Sequence, residues 1–141
     1  MTELNALRRD AIARHVRCIV IDPQTTPLAD AAFDYVIDAV GAKATRQQAF
    51  AAVRPGGAIM HIGLQDWASE IDMRRLTLAE ITLQGTYTYT TADLRATVAG
   101  LDRGIFGDLS WVEERSLSEG AQAFVDLDLG RCAAAKIVLR P

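Results

Sequence analysis

Two stretches decide the fold, FDYVIDAVG at 33–41 and VRPGGAIMHIGL at 53–64. Each holds a short apolar run closed by a glycine, Tyr35 to Val40 before Gly41 and Ala58 to Ile62 before Gly63. Runs with little polar alternation are strands buried on both faces, as in parallel sheets with helical crossovers. Between them, Thr45 followed by Gln48 is a capping-box pattern, which predicts a helix from Thr45 through Val53. Arg54-Pro55-Gly56-Gly57 then breaks that helix and turns the chain into the second strand. The order strand, helix, strand is that of an α/β protein.

The same period extends outward. Leu4, Leu7, Ala11, Ile12 and Val16 recur at helical spacing around the charged Arg8, Arg9 and Asp10, predicting an amphipathic helix from the first residues. Cys18 to Ile21 reads as a strand stopped by Asp22 and Pro23, with a loop over 24–32. Downstream, Asp72 can cap a short helix through Glu80, and ITLQGTYTY at 81–89 is a β-rich run interrupted by Gly85. Thr91 can cap a helix carrying Leu94, Val98 and Leu101 on one face. Ser118 can cap another with Ala121, Phe124 and Val125, ending near Gly130, and Lys136 to Leu139 forms a last strand.

Composition narrows the function classes. The chain has 141 residues, 50% hydrophobic and 23% charged, which suits a folded domain with a real core. A net charge of −3 and scattered Lys and Arg argue against nucleic acid as a partner. No apolar run reaches the length of a membrane helix, and MTELNALRRD has no secretory pattern. Cys18 and Cys132 stand far apart and support neither a disulfide framework nor a metal site. Both are expected as small buried hydrophobes in a reducing, cytoplasmic setting.

The 33–64 succession resembles the second half of a Rossmann nucleotide-binding domain, a pattern that methyltransferases share. The later segments choose between the two. LTLAEITLQGTY (76–87) is similar to the passage from helix to last strand in medium-chain, zinc-type alcohol dehydrogenases. EGAQAFVDLDLGRCAAAKIVLRP (119–141) resembles that family's closing helix, glycine turn and strand, and ELNALRRDAIARH (3–15) its second strand end and following helix. The resemblance spans nearly the whole chain. It implies an α/β fold with an incomplete Rossmann-type parallel sheet, lacking the first strands, and a carboxyl-terminal helix and strand. Residues 1–109 would be a partial NAD(P)-binding domain, and 110–141 a segment that in the family returns to the catalytic domain.

The family's first strand, nearly all of its second and its catalytic domain would lie before Met1. The chain holds no G-x-G-x-x-G, and its two cysteines and two histidines cannot replace the family's metal ligands, so zinc is not expected to bind. By resemblance, Val40, Gly41, Ile62, Gly63 and Leu64 line the ribose and nicotinamide regions of the cofactor. The plainer reading of the two glycines is a pair of tight turns at strand ends. Thr86 and Thr88 match positions whose backbone amides can bond the nicotinamide carboxamide, or are ordinary β-formers. Lys136 matches a basic position near the pyrophosphate, or is a snorkelling surface lysine. Glu3 falls near the acidic position that bonds the ribose, at the end of the chain where a ligand is seldom held. His61, where the family has an aliphatic residue, reads as a satisfied core or interface histidine and His15 as a surface residue. Asp38 reads as packing or a hydrogen-bond acceptor and not as a carboxylate pair with Asp34.

In the family's strand order, 3-2-1-4-5-6, losing strands 1 and 2 leaves 18–21 and 35–40 unbridged. Either the two pair directly or another copy supplies the edge. Since family dimers also join through the last strand, here within 81–89, a homodimer or higher oligomer is expected. Two functions follow: a dehydrogenase-derived module with weak NAD(P) affinity or none and no catalysis alone, or a non-enzymatic protein whose sheet edges serve assembly. Part of a methyltransferase is the third reading, disfavoured by the carboxyl-terminal match.

Overall fold

The computed structural model describes residues 1–107 and 109–141. In chain order the elements are α1 (Ala6–His15), β1 (Phe33–Asp38), α2 (Lys43–Ala52), β2 (Val53–His61), α3 (Met73–Leu78), β3 (Thr82–Gly85), α4 (Thr91–Asp102), β4 (Val112–Ser116), a 3-10 turn (Leu117–Glu119), α5 (Gly120–Asp128) and β5 (Lys136–Arg140). They fall into two compact units, Leu28–Thr90 and Met1–Pro27 with Thr91–Pro141.

In the unit Leu28–Thr90, three parallel strands lie in the order β1-β2-β3. Tyr35 pairs with Ala58 and Asp38 with His61, while Ala58 pairs with Thr82 and His61 with Gly85. Val36 and Ile59 share the face covered by α2, where Ala49, Phe50, Val53, Ile59 and Ile81 form the core. Tyr35 and Ile37 point to the other face and remain 51% and 59% exposed. The strands read as buried on both faces are therefore covered on one.

Helix α2 starts two residues before the expected Thr45. Thr45 works from inside the first turn, its hydroxyl accepting from the Ala42 N–H, and Asp66 accepts from the Lys43 N–H. The helix stops at Ala52, where the Arg75 guanidinium takes the Phe50 and Ala51 carbonyls and the Ala32 N–H takes that of Ala52. Pro55-Gly56-Gly57 is not a turn ahead of the strand but lies within β2. The register slips there, Phe33 pairing with Val53 but Tyr35 with Ala58, so the extra residues bulge out of the pairing. Asp72 does cap α3, accepting from the Arg75 N–H. The 81–89 run yields only the four residues of β3; Gly85 ends the strand, and Thr88 has a left-handed φ of 50°.

In the other unit, Cys18 to Ile21 does not form the expected strand. It makes one parallel bridge, Thr2 with Ile21, and its backbone is held by Met1 and Glu3. Among the described residues β1 pairs with β2 alone and so is an edge, and the direct pairing of 18–21 with 35–40 does not form. Asn5 caps α1, yet that helix buries no residue, and Leu4 and Leu7 stay about half exposed. Strand β4 was not foreseen; it pairs in parallel with β5, from Val112 with Lys136 to Ser116 with Arg140. Ser118 does not cap α5, which follows Glu119 without a side-chain cap; Ser116 instead caps the 3-10 turn before it, its Oγ accepting from the Ser118 N–H while Glu119 accepts from the Ser116 N–H. Gly130 ends the α5 region with a φ of 64°, as its position suggested. Cys132 is buried but Cys18 is exposed, which corrects the expectation for the latter. Among the described residues no helix is long and apolar enough to cross a membrane.

Candidate functional site

Asp38, the last residue of β1, is the buried charge of the unit Leu28–Thr90, only 4% exposed. Its Oδ1 accepts from the Val40 and Gly41 N–H groups at 3.1 and 2.8 Å, which bends the chain sharply out of the strand. Its Oδ2 is buried, has no hydrogen-bond partner, and lies 3.8 Å from His61 Nε2. The acceptor role read for Asp38 is thus half of its environment.

The reading of His61 as a satisfied histidine holds through Arg46. The Arg46 Nε–H donates to His61 Nε2 at 2.9 Å, and its other nitrogens donate to Ser69 Oγ and the Asp66 carbonyl. Arg46, His61 and Ser69, together with Asp38, line a cavity of about 330 Å³ on the α2 face of the sheet. Phe50, Ile59, Ile71 and Leu83 line its apolar part, and Trp67 stands fully exposed at the rim. Sequence reasoning did not single out Arg46, Ser69 or Trp67. One signal for Arg46 was available: a cation in the first turn opposes the helix dipole and needs a local partner.

The strand-end residues singled out in the sequence gather at the carboxyl edge of this sheet. Gly41 and Gly63 touch backbone to backbone: a Cβ on Gly41 would overlap the Gly63 carbonyl, and one on Gly63 would overlap the Val40 carbonyl. Gly41 also has a φ of 72°. Close packing of two loops therefore demands both glycines. The Ile62 and Gly63 N–H groups donate to the Asp38 carbonyl, and that of Thr86 to the His61 carbonyl. Val40, Ile62 and Leu64 are left exposed, Leu64 the most, a small apolar surface beside these turns. Thr86 and Thr88 are exposed just past β3, and Lys136 is exposed at the start of β5 in the other unit. Asp34 is bound to Arg54 at 2.6 Å, which holds its carboxyl below the ordinary range, and it forms no pair with Asp38. Glu3 accepts from the Asn5 N–H and so helps to start α1.

The pattern of zinc-binding dehydrogenases matches residues 16–103, well over half of the chain. The chain belongs to that family. Solved structures agree in fold. Alcohol dehydrogenase TADH from Thermus sp. ATN1 superposes with a TM-score of 0.85 at 21% identity, over 99% of this chain and 43% of that one. Acetophenone reductase from Geotrichum candidum, solved in complex with NAD, gives 0.81 at 20% identity, over 96% and 40%. L-idonate 5-dehydrogenase from Escherichia coli gives 0.81 at 18% identity, over 98% and 42%. The chain thus spans about two-fifths of the length of these relatives, and at such identity the likeness is one of fold. Among curated protein sequences none matches. The architecture is a partial Rossmann-type α/β sheet of this dehydrogenase family.

Proposed function

We propose that the chain is the nucleotide-binding portion of a zinc-type alcohol dehydrogenase, holding NAD(P) weakly and transferring no hydride alone. The observation that carries this reading is the convergence of Val40–Gly41, Ile62–Leu64 and Thr86 at one carboxyl edge of a parallel sheet, where such folds take dinucleotides. Val40, Ile62 and Leu64 would pack against the ribose and nicotinamide, excluding water from that side. Thr88, in its left-handed turn, would border the carboxamide. The bound cofactor would supply the hydride chemistry; these residues only position it. The amides of Gly41, Gly63 and Thr86 are already bonded within the fold, and the chain has no G-x-G-x-x-G. Both facts favour low affinity. The cysteine and histidine content supports no zinc site.

Calorimetric titration with NADH, NADPH and S-adenosylmethionine tests this. A Kd weaker than about 0.1 mM for a nicotinamide cofactor, with no response to S-adenosylmethionine, is the expected result. Tight S-adenosylmethionine binding would restore the methyltransferase reading, and NAD(P)-dependent alcohol turnover would overturn the claim of inactivity.

A second reading rests on the exposed sheet. The edge β1 and the uncovered Tyr35 and Ile37 favour association of copies into a homodimer or higher oligomer, as an assembly role would require. Two free thiols, one of them exposed, support a cytoplasmic setting.

A further inference from the structure

Among the described residues, Asp38 Oδ2 is the one buried side-chain acceptor without a hydrogen-bond partner. The other oxygen of the same carboxylate takes both turn amides, those of Val40 and Gly41. Neighbouring His61 supplies no donor to Oδ2. Its Nε2 stands 3.8 Å away, beyond hydrogen-bond reach, and is engaged as the acceptor for the Arg46 Nε–H. A buried acceptor left open is uncommon and costly.

Asp38 borders the cavity of about 330 Å³, and the rest of the wall decides what else a guest meets there. Phe50, Ile59, Ile71 and Leu83 make it apolar. Each nitrogen of Arg46 is already bonded, to His61, to Ser69 and to the Asp66 carbonyl, so its cation is engaged within the fold. Trp67 stands at the rim fully exposed, although a ring of that size ordinarily finds cover. An apolar cavity of roughly 150 Å³ already admits benzene, so this one has room for a ring with a polar substituent.

We infer that this cavity binds a compact neutral phenol, whose O–H donates to Asp38 Oδ2 while its ring packs on the apolar wall beside Trp67. The hydroxyl brings the donor that the open oxygen lacks. A carboxylate guest would set a second acceptor against Asp38 and find Arg46 already committed. An ammonium guest would place a second cation beside Arg46 against an apolar wall. An aliphatic alcohol would make the same hydrogen bond but leave the Trp67 ring without a flat partner. The site is joined to the strand-end turns, because Asp38 holds Val40 and Gly41 with its other oxygen. A donor on Oδ2 therefore steadies the carboxylate and, through it, the turn at Gly41. Phenol binding here does not require that NAD(P) occupy the strand-end surface.

The test uses the full chain with phenol as the probe, followed by NMR of the backbone amides. Saturable binding is expected, with the Val40 and Gly41 resonances moving along one titration curve. The Gly41 amide should also exchange with solvent at least about threefold more slowly when phenol is bound. Toluene has the same shape without the donor, and benzoate carries the wrong charge; each should bind about tenfold or more weakly than phenol. Leu83→Trp, which fills the cavity from β3, should abolish phenol binding. The wild-type amide shifts need no variant, so they decide the matter even where Leu83→Trp does not fold. Three results would each overturn the inference: no saturable phenol binding, which would leave Oδ2 to a water only; toluene or benzoate binding as tightly as phenol; or bound phenol that leaves Gly41 unmoved. Nicotinamide titrations contain no phenol, so the nucleotide reading stands or falls separately.

Discussion

Positions 41 and 63 leave no room for a methyl group, because each glycine is pressed against the backbone beside the other. Gly41→Ala adds left-handed strain to that overlap, so a loss of roughly 2–4 kcal/mol is expected by urea denaturation. Gly85→Ala is the control. Nothing lies within 4 Å of a Cβ there, and the change should stay within about 0.5 kcal/mol. The two cysteines should separate as clearly. Cys18 is exposed, whereas burial first and the neighbouring Glu113 second push the Cys132 thiol up. Iodoacetamide should therefore label Cys18 in the native protein and reach Cys132 only after unfolding, as read by mass spectrometry. The strand-end glycines were legible in sequence because a glycine after an apolar run has few other uses. The Asp38–His61–Arg46 group was not, because strand register and helix rotation bring together residues far apart in the chain.

Caps show where reading by element succeeds and where it slips. Asp72 was found because it stands alone before a short helix, but Ser116 and Ser118 both suit a cap, and only the end of β4 selects the former. Strand β4 itself, Val-Glu-Glu-Arg-Ser, escaped notice because its charged residues pair with one another and with their neighbours. Arg140 holds Glu114, and Arg115 holds both Glu113 and Asp126. Ser116→Ala should cost about 1 kcal/mol in thermal or urea unfolding. Acid should act through the Arg115 cluster. The hydrogen bond from Arg115 lowers the Asp126 carboxyl below its ordinary 3.8, and those from Cys132 and then Arg115 lower Glu113 below 4.5. Groups lowered in the folded state stabilise it above their ordinary values and lose that effect as the pH falls through the folded ones. Tm should thus drop on acidification from about pH 5 to 3, and less steeply in Arg115→Met, measured by circular dichroism.

At the scale of the molecule, the covered and uncovered faces of the three-stranded sheet carry the last prediction. The apolar β1 sequence was legible as a buried strand, yet its alternate residues meet different surroundings. Val36 packs on the core, while Tyr35 and Ile37 lie open beside an edge with free pairing capacity. Sequence periodicity could not report this, since an uncovered strand reads the same as one sealed on both sides. Exposed apolar side chains next to an unpaired edge are a surface that a soluble chain tends to cover, and the proposal is that a second copy covers it. Multi-angle light scattering at micromolar concentration should then give a dimer or larger. Ile37→Lys, a charge on the open face with the core-facing residues untouched, should weaken association about tenfold or more without lowering Tm. A stable monomer in the wild type would remove the assembly reading, and the nucleotide titrations would then bear alone on what the chain does.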